Sequence, residues 1–140
     1  MYRIVLVDDE PLILAGIISL IRWEDYDCTI VGKATNGPKA LELIREVLPD
    51  IVITDIRMPD MDGLEMLALG RAECAFDSIL ITGYSEFDYA KQAIHLGVSE
   101  YLLKPVDLNE LKACIQQIAR RRQDERAPET PEVQLAPDLE

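Results

Sequence analysis

Five short apolar runs recur along the chain, each closed by a polar residue or a turn former. They are Arg3-Ile4-Val5-Leu6-Val7, Cys28-Thr29-Ile30-Val31-Gly32-Lys33-Ala34, Asp50-Ile51-Val52-Ile53-Thr54-Asp55, Ser78-Ile79-Leu80-Ile81-Thr82 and Glu100-Tyr101-Leu102-Leu103. Runs this short, bounded by turn formers and rich in β-branched side chains, predict strands covered on both faces. In the intervals the apolar spacing changes to that of helices, over residues 12–21, 38–47, 64–70, 87–96 and 108–121. Pro11 suits a first helical turn, Asn36-Gly37 turns into the second helix, Leu48-Pro49 ends it, and Gly97 closes the fourth. Five strands alternating with five helices predict an α/β fold, a doubly wound five-stranded parallel sheet with helices on both faces, because right-handed crossovers place each helix on one face or the other.

The first helix carries more apolar residues than one buried stripe requires: Ile13, Leu14, Ile17, Ile18, Leu20 and Ile21. Burial between the sheet and neighbouring helices is the expected use of this surplus, with an interface as the alternative. Trp23 and Tyr26 are expected to cover a core edge.

The polar residues that close the strands sort to one edge. Asp8 and Asp9 follow the first strand, Asp55 ends the third, Thr82 ends the fourth and Lys104 follows the fifth. In an open parallel sheet the ligand crevice lies beyond the carboxyl ends of the strands, so these groups face it together. From its own segment Asp55 reads equally as a turn cap or as a chemical group. Three carboxylates, a hydroxyl and an amine on one edge decide for chemistry. His95 sits in a helix far from the acids and is not a candidate base, and Glu10 serves the helix N-terminus electrostatically. Arg120-Arg121-Arg122 are read as cations that the macrodipole favours at a helix C-terminus.

Composition narrows the classes. With 140 residues, 49% of them apolar, the chain has core enough for one domain. A net charge of −12 argues against direct binding to nucleic-acid phosphates and suits a cation as ligand. Cys28, Cys74 and Cys114 are odd in number, form no C-x-x-C and have no nearby His, so they read as reduced core residues. Without a basic-then-apolar leader or an apolar run of membrane-spanning length, the reading is a soluble, cytoplasmic protein with no membrane contact. From Asp124 onward six acids face Arg126 alone and three prolines appear. The expected organisation is a folded domain over residues 1–122 and a disordered acidic tail or truncated linker over 123–140.

Asp8-Asp9, Asp55 followed by Met58-Pro59 and Asp62-Gly63, then Thr82-Gly83 and Lys104-Pro105, in this order and spacing, resemble the receiver (CheY-like) domains of two-component response regulators. The likeness covers roughly residues 2–121. The stretch 82–90 and the Trp23 loop are most similar to receivers that precede AraC-type DNA-binding domains. The resemblance implies a flavodoxin-like sheet with strand order 2-1-3-4-5.

It also implies roles for the residues at the sheet edge. Mg²⁺ would be held by Asp9 and Asp55, with Asp8 on a metal-bound water and the backbone carbonyl of Arg57 as a further ligand; crowded carboxylates and a hard, oxygen-preferring cation suit one another. Asp55 would be the phosphoacceptor, attacking phosphorus in line, with Lys104 supplying the balancing charge. The Thr82 hydroxyl and the backbone N–H groups of Ile56 and Gly83 would bind the phosphoryl oxygens. Pro105 would follow a cis peptide bond. The donor implied is a sensor histidine kinase, and the domain would catalyse its own phosphorylation and dephosphorylation at Asp55 rather than turn over a free substrate. Thr82 and Tyr101 would form a switch that alters the face made by the predicted fourth helix, fifth strand and last helix, pairing two copies as a homodimer. DNA binding and transcription regulation would then belong to an output domain that this sequence lacks; a single-domain receiver acting by protein contact or in a phosphorelay is the alternative. An aspartate-based phosphatase would want a second acid two residues after Asp55, and Arg57 stands there.

Overall fold

The computed structural model of the chain describes residues 1–83 and 97–126. The predicted fourth helix over 87–96, with His95, Tyr89, Lys91 and Gln92, lies outside the described residues, as does the stretch from 127. The strands are β1 (Tyr2–Val7), β2 (Cys28–Ala34), β3 (Ile51–Asp55), β4 (Asp77–Thr82) and β5 (Glu100–Leu103). All neighbours run parallel, in the order β2-β1-β3-β4-β5. Helices α1 (Pro11–Leu20), α2 (Gly37–Val47), α3 (Gly63–Arg71) and a C-terminal helix (Leu108–Arg126) connect and cover them, with a short 3₁₀ turn at Trp23–Tyr26.

Side chains alternate across a strand, so each inner strand feeds two cores. Ile4, Leu6, Ile51, Ile53, Ile79 and Ile81 point to one face, where Leu14 and Ile17 of α1 and Leu111, Ile115 and Ile118 of the C-terminal helix cover them. Val5, Val7, Val52 and Leu80 point to the other and meet Ala40, Leu41 and Ile44 of α2 and Leu64, Met66 and Leu67 of α3. Every residue of β3 is buried, which is why this strand reads as an unbroken apolar run. Trp23 closes one end of the first core, its indole N–H donating to the Ile18 carbonyl at 3.0 Å.

Two expectations are corrected. The apolar surplus of α1 is buried only in part: Leu14, Ile17 and Ile21 are buried and Ile18 packs against the core, while Ile13 is 40% exposed, Leu20 64% and the neighbouring Leu12 87%. A helix lying on a sheet presents one face to it, and these side chains fall on the flanks. The last helix also runs on to Arg126, past the expected end at 121, because residues 122–126 include neither glycine nor proline to stop it.

Candidate functional site

The acids arrive at one place because β1 and β3 are neighbours in register, with Val7 opposite Thr54. Asp8 and Asp9 leave β1 there, and Asp55 is the last residue of β3. One carboxylate oxygen from each of Asp8, Asp9 and Asp55 lies within 4.8 Å of the others. Asp8 and Asp55 are buried, at 4% and 1% exposure, and Asp9 is exposed. Asp8 accepts a hydrogen bond from the Glu10 N–H at 2.9 Å, which holds the β1–α1 loop around the acids.

Lys104, next after β5, donates from Nζ to Asp55 Oδ2 at 2.8 Å, and the Lys104–Pro105 peptide is cis. The other oxygen of Asp55, Oδ1, is buried with no hydrogen-bond partner. Electrostatics follows the crowding. Burial pushes the Asp8 carboxyl up to about 6; the Glu10 amide opposes this, and the negative charges of Asp55 and Asp9 add to it. For Lys104, burial works downward, but the hydrogen bond and charge of Asp55, with Asp8 and Glu10, outweigh it and raise the ammonium's pKa. Three carboxylates with one lysine leave a deficit of positive charge. The orphaned buried Oδ1 of Asp55, together with the nearby carboxylates of Asp8 and Asp9, fits a hard divalent cation such as Mg²⁺, which takes oxygen ligands.

The loop after Asp55 is drawn tightly over the site. Gly63 donates its N–H to the Ile56 carbonyl at 2.7 Å, and a Cβ there would collide with the Asp55 carbonyl, so the position needs glycine. Asp60 adopts φ 71°, with Met61 N–H bonded to the Pro59 carbonyl around it at 2.8 Å. Asp62 caps α3 through the Glu65 N–H at 2.8 Å, and Glu65 bonds back to the Asp62 N–H, a capping box legible in the sequence as Asp-x-x-Glu. Asp9, Ile56, Arg57, Met58 and Asp62 line the resulting open cleft of about 430 Å³.

Thr82 is buried at the end of β4, one residue past Ile81, the partner of Asp55 across the ladder. Its hydroxyl bonds to the Gly83 carbonyl at 3.1 Å. The Ile56 N–H, the expected partner of a phosphoryl oxygen, donates here to the Ile81 carbonyl at 3.1 Å, as the β3–β4 hydrogen bonding carries on one residue beyond Asp55. Tyr101 lies on β5 opposite Leu80 and is 50% exposed. On the other side of Asp8 and Lys104, an apolar groove of about 400 Å³ runs between α1 and the loop after β5, lined by Leu12, Ile13, Leu20, Pro105, Val106 and Leu108 among others.

One residue that the sequence reading set aside has a specific partner set. Arg122 is not simply a macrodipole cation: its Nε donates to Asp77 at 2.7 Å, and its Nη1 and Nη2 donate to the side chain and carbonyl of Asp50 at 3.2 and 2.8 Å. These partners lie 45 and 72 residues away, beyond the reach of any local pattern. Cys28, Cys74 and Cys114 are free thiols. Burial pushes the Cys28 and Cys114 thiols up to about 11, which leaves them unreactive.

Comparison with known proteins places these observations in a family. Residues 4–116 match the family model described as the response regulator receiver domain. The transcriptional regulatory protein YesN of Bacillus subtilis is 42% identical over 127 residues, which cover 89% of this chain and 34% of YesN. The transcriptional regulatory protein HptR of Staphylococcus aureus is 37% identical over 86% of this chain and 47% of its own. The chain thus spans between a third and a half of the length of these relatives. Among solved structures, the REC domain of AraT, a response regulator from Geobacillus stearothermophilus, superposes with a TM-score of 0.84 at 36% identity, covering 89% of this chain and 98% of that one. A two component transcriptional regulator AraC from Clostridium phytofermentans gives 0.81 at 31% identity, over 91% and 99%.

Proposed function

The chain belongs to the response regulator receiver family, and on that premise we propose that Asp55 accepts a phosphoryl group from a sensor histidine kinase in an Mg²⁺-dependent step. The observation that carries this reading is the state of Asp55. It is buried, one oxygen is held by Lys104 at 2.8 Å, and the other has no partner although two more carboxylates crowd it. Asp9 and Asp55, with the Arg57 carbonyl as a further ligand and Asp8 on a bound water, would hold Mg²⁺, whose positive charge would be available to the phosphoryl oxygens.

The residues themselves do the rest. An Asp55 carboxylate oxygen attacks phosphorus in line; its O–P bond forms as the donor's N–P bond breaks, and the departing imidazole takes up a proton. Lys104, kept cationic by Asp55 and Asp8, orients the nucleophile and then balances the acquired charge. Thr82 would exchange the Gly83 carbonyl for a charged phosphoryl oxygen, a stronger acceptor, and the Gly83 N–H would bind beside it. Ile56 would join them only by releasing Ile81. A protein donor is favoured by the apolar groove that opens beside Asp8 and Lys104, since a partner reaching Asp55 from that side covers the exposed leucines of α1.

Output is read from the opposite flank. Movement of Thr82 towards a phosphoryl group would vacate space for the half-exposed Tyr101 ring, changing the surface at β5 and the C-terminal helix with Lys112 and Gln116. Two copies would pair there, in the cytoplasm, and transcription would be controlled through a DNA-binding output domain; the relatives YesN and HptR are transcriptional regulatory proteins two to three times as long as the part matched here. A bias of a few kcal/mol, roughly, is sufficient to make a minor active state dominant.

Intact mass measurement after incubation with Mg²⁺ and acetyl phosphate tests the acceptor: one added phosphoryl group is expected, and none on Asp55→Asn. Equal labelling of the variant refutes it. Sedimentation velocity with Mg²⁺ and beryllofluoride tests the pairing, for which self-association should rise; a monomer with and without the mimic refutes it.

A further inference from the structure

At the amino edge of the sheet, far from Asp55, the C-terminal helix ends its contact with the body in an unusual way. Its buried stripe runs Leu111, Ile115, Ile118, and the next position of that stripe is Arg122. An aliphatic side chain would continue the stripe, yet a guanidinium stands there with 23% of its side chain exposed. It is matched by two carboxylates: Nε to Asp77 Oδ2 at 2.7 Å and Nη1 to Asp50 Oδ1 at 3.2 Å, with Nη2 on the Asp50 carbonyl at 2.8 Å. The remaining oxygens are also used. Asp50 Oδ2 accepts from the Arg3 N–H at 2.8 Å, and Asp77 Oδ1 accepts from the Ser99 hydroxyl at 2.7 Å, which itself accepts from the Ser78 N–H at 3.2 Å. One arginine therefore grips the starts of β3 and β4 and, through their aspartates, β1 and the entry to β5. Residues 123–125 are exposed, so Arg122 is the last attachment of the helix among the described residues.

We propose that Arg122 is a positioning residue, a clasp that sets the direction in which the C-terminal helix leaves the domain, and that β4 couples this clasp to the phosphoryl site. β4 is a buried strand of six residues with Asp77 in the clasp at one end and Thr82 at the carboxyl edge at the other. A rigid strand fixed at both ends passes a displacement of Thr82 to Asp77, and the planar, forked guanidinium passes it to the helix. Whatever follows Arg126 then reports on Asp55. The coupling rests on the reading of Asp55 as phosphoacceptor; the clasp does not.

Hydrogen exchange read by mass spectrometry on the whole chain separates the two. In Arg122→Gln, amides of residues 119–126 should exchange about tenfold faster or more, while β1 and β3 keep their protection. Arg122→Lys, which keeps the charge but cannot fork between two carboxylates, should fall between, and Asp77→Asn combined with Arg122→Gln should add little to either change alone. Unchanged exchange at 119–126, or an equal acceleration through the whole sheet, overturns the clasp. In wild type, Mg²⁺ with beryllofluoride should alter exchange at 119–126, and that response should be lost in Arg122→Gln although acetyl phosphate still labels its Asp55. A response that persists in the variant, or is missing from a wild type that is labelled, overturns the coupling. A wild type that takes no label removes the phosphoacceptor reading and the coupling with it, and leaves the clasp to be judged by the exchange of the unmodified proteins.

Discussion

At the carboxyl edge of the sheet three aspartates face one lysine, and Asp55 keeps a buried oxygen with no partner. At the amino edge Asp50 and Asp77 face Arg122, and all four of their carboxylate oxygens accept a hydrogen bond. Both edges are made from acids at strand ends and a single dominant cation, but one is short of positive charge and the other is closed. An under-satisfied cluster is suited to take something further, which on the proposed function is a divalent cation and a phosphoryl group, whereas a satisfied one fastens elements together. The two should therefore respond differently to the same kind of substitution.

The largest contrast is expected from Asp9→Ala. It removes a ligand and a charge from the open edge, and Mg²⁺ affinity should fall at least about tenfold, the lower end of what even an outer partner of a metal site contributes, with phosphorylation lost alongside. Because Asp9 is exposed and packs against little, stability without metal should hardly change. Calorimetric Mg²⁺ titration and chemical denaturation of the same samples check both halves. An unchanged titration contradicts the assignment.

Asp50→Ala should show the reverse. It strips acceptors from the Arg3 N–H and from Arg122, leaving a partly buried guanidinium short of a partner, and should destabilise the domain by about 2–3 kcal/mol. Mg²⁺ affinity should stay at the wild-type value, since the carboxyl edge is untouched. A drop in metal binding matching that of Asp9→Ala would show that the edges are not separable.

Asp8 gives the smallest and most diagnostic effect. Its folded-state pKa of about 6 stands above the ordinary 3.8, so between these values the folded protein binds the proton more tightly than the unfolded chain does. Stability from this group is full below about pH 4 and declines as pH rises through 6, in the absence of metal. Asp8→Asn, a permanent mimic of the neutral acid, should flatten that slope and stabilise the metal-free protein at neutral pH by on the order of 2 kcal/mol. Urea denaturation in chelator at pH 5 and pH 7.5 checks it; a variant no more stable than wild type at the higher pH contradicts the cost of burying the Asp8 carboxylate, to which Asp55 and Asp9 add.

The carboxyl edge was legible in the sequence and the amino edge was not, for a physical reason. Asp8, Asp9, Asp55, Thr82 and Lys104 each end or follow a strand that its own apolar run announces, and a parallel sheet brings strand ends together without any knowledge of pairing partners. Arg122 pairs with acids 45 and 72 residues away, and nothing in the run Arg120-Arg121-Arg122 marks which of the three turns inward. Helix spacing from Ile118 places Arg122 on the buried stripe, a signal that the macrodipole reading passed over. The exposure of Ile13 and Leu20 on α1 stayed open between burial and an interface for a related cause, since an apolar residue does not declare whether it faces the core or a partner. That the Ile56 amide is engaged by the Ile81 carbonyl was not legible, because the end of a ladder is set by tertiary register rather than by residue type.

Asp55, at the unsatisfied edge, is the residue proposed to take the phosphoryl group. Reduction of the acetyl-phosphate-treated protein with borohydride converts an aspartyl phosphate to homoserine, and peptide mass spectrometry then locates it. Homoserine is expected at position 55 and aspartate at 8 and 9, with the conversion dependent on Mg²⁺. Homoserine at position 8 or 9, or a label that resists borohydride, would contradict it.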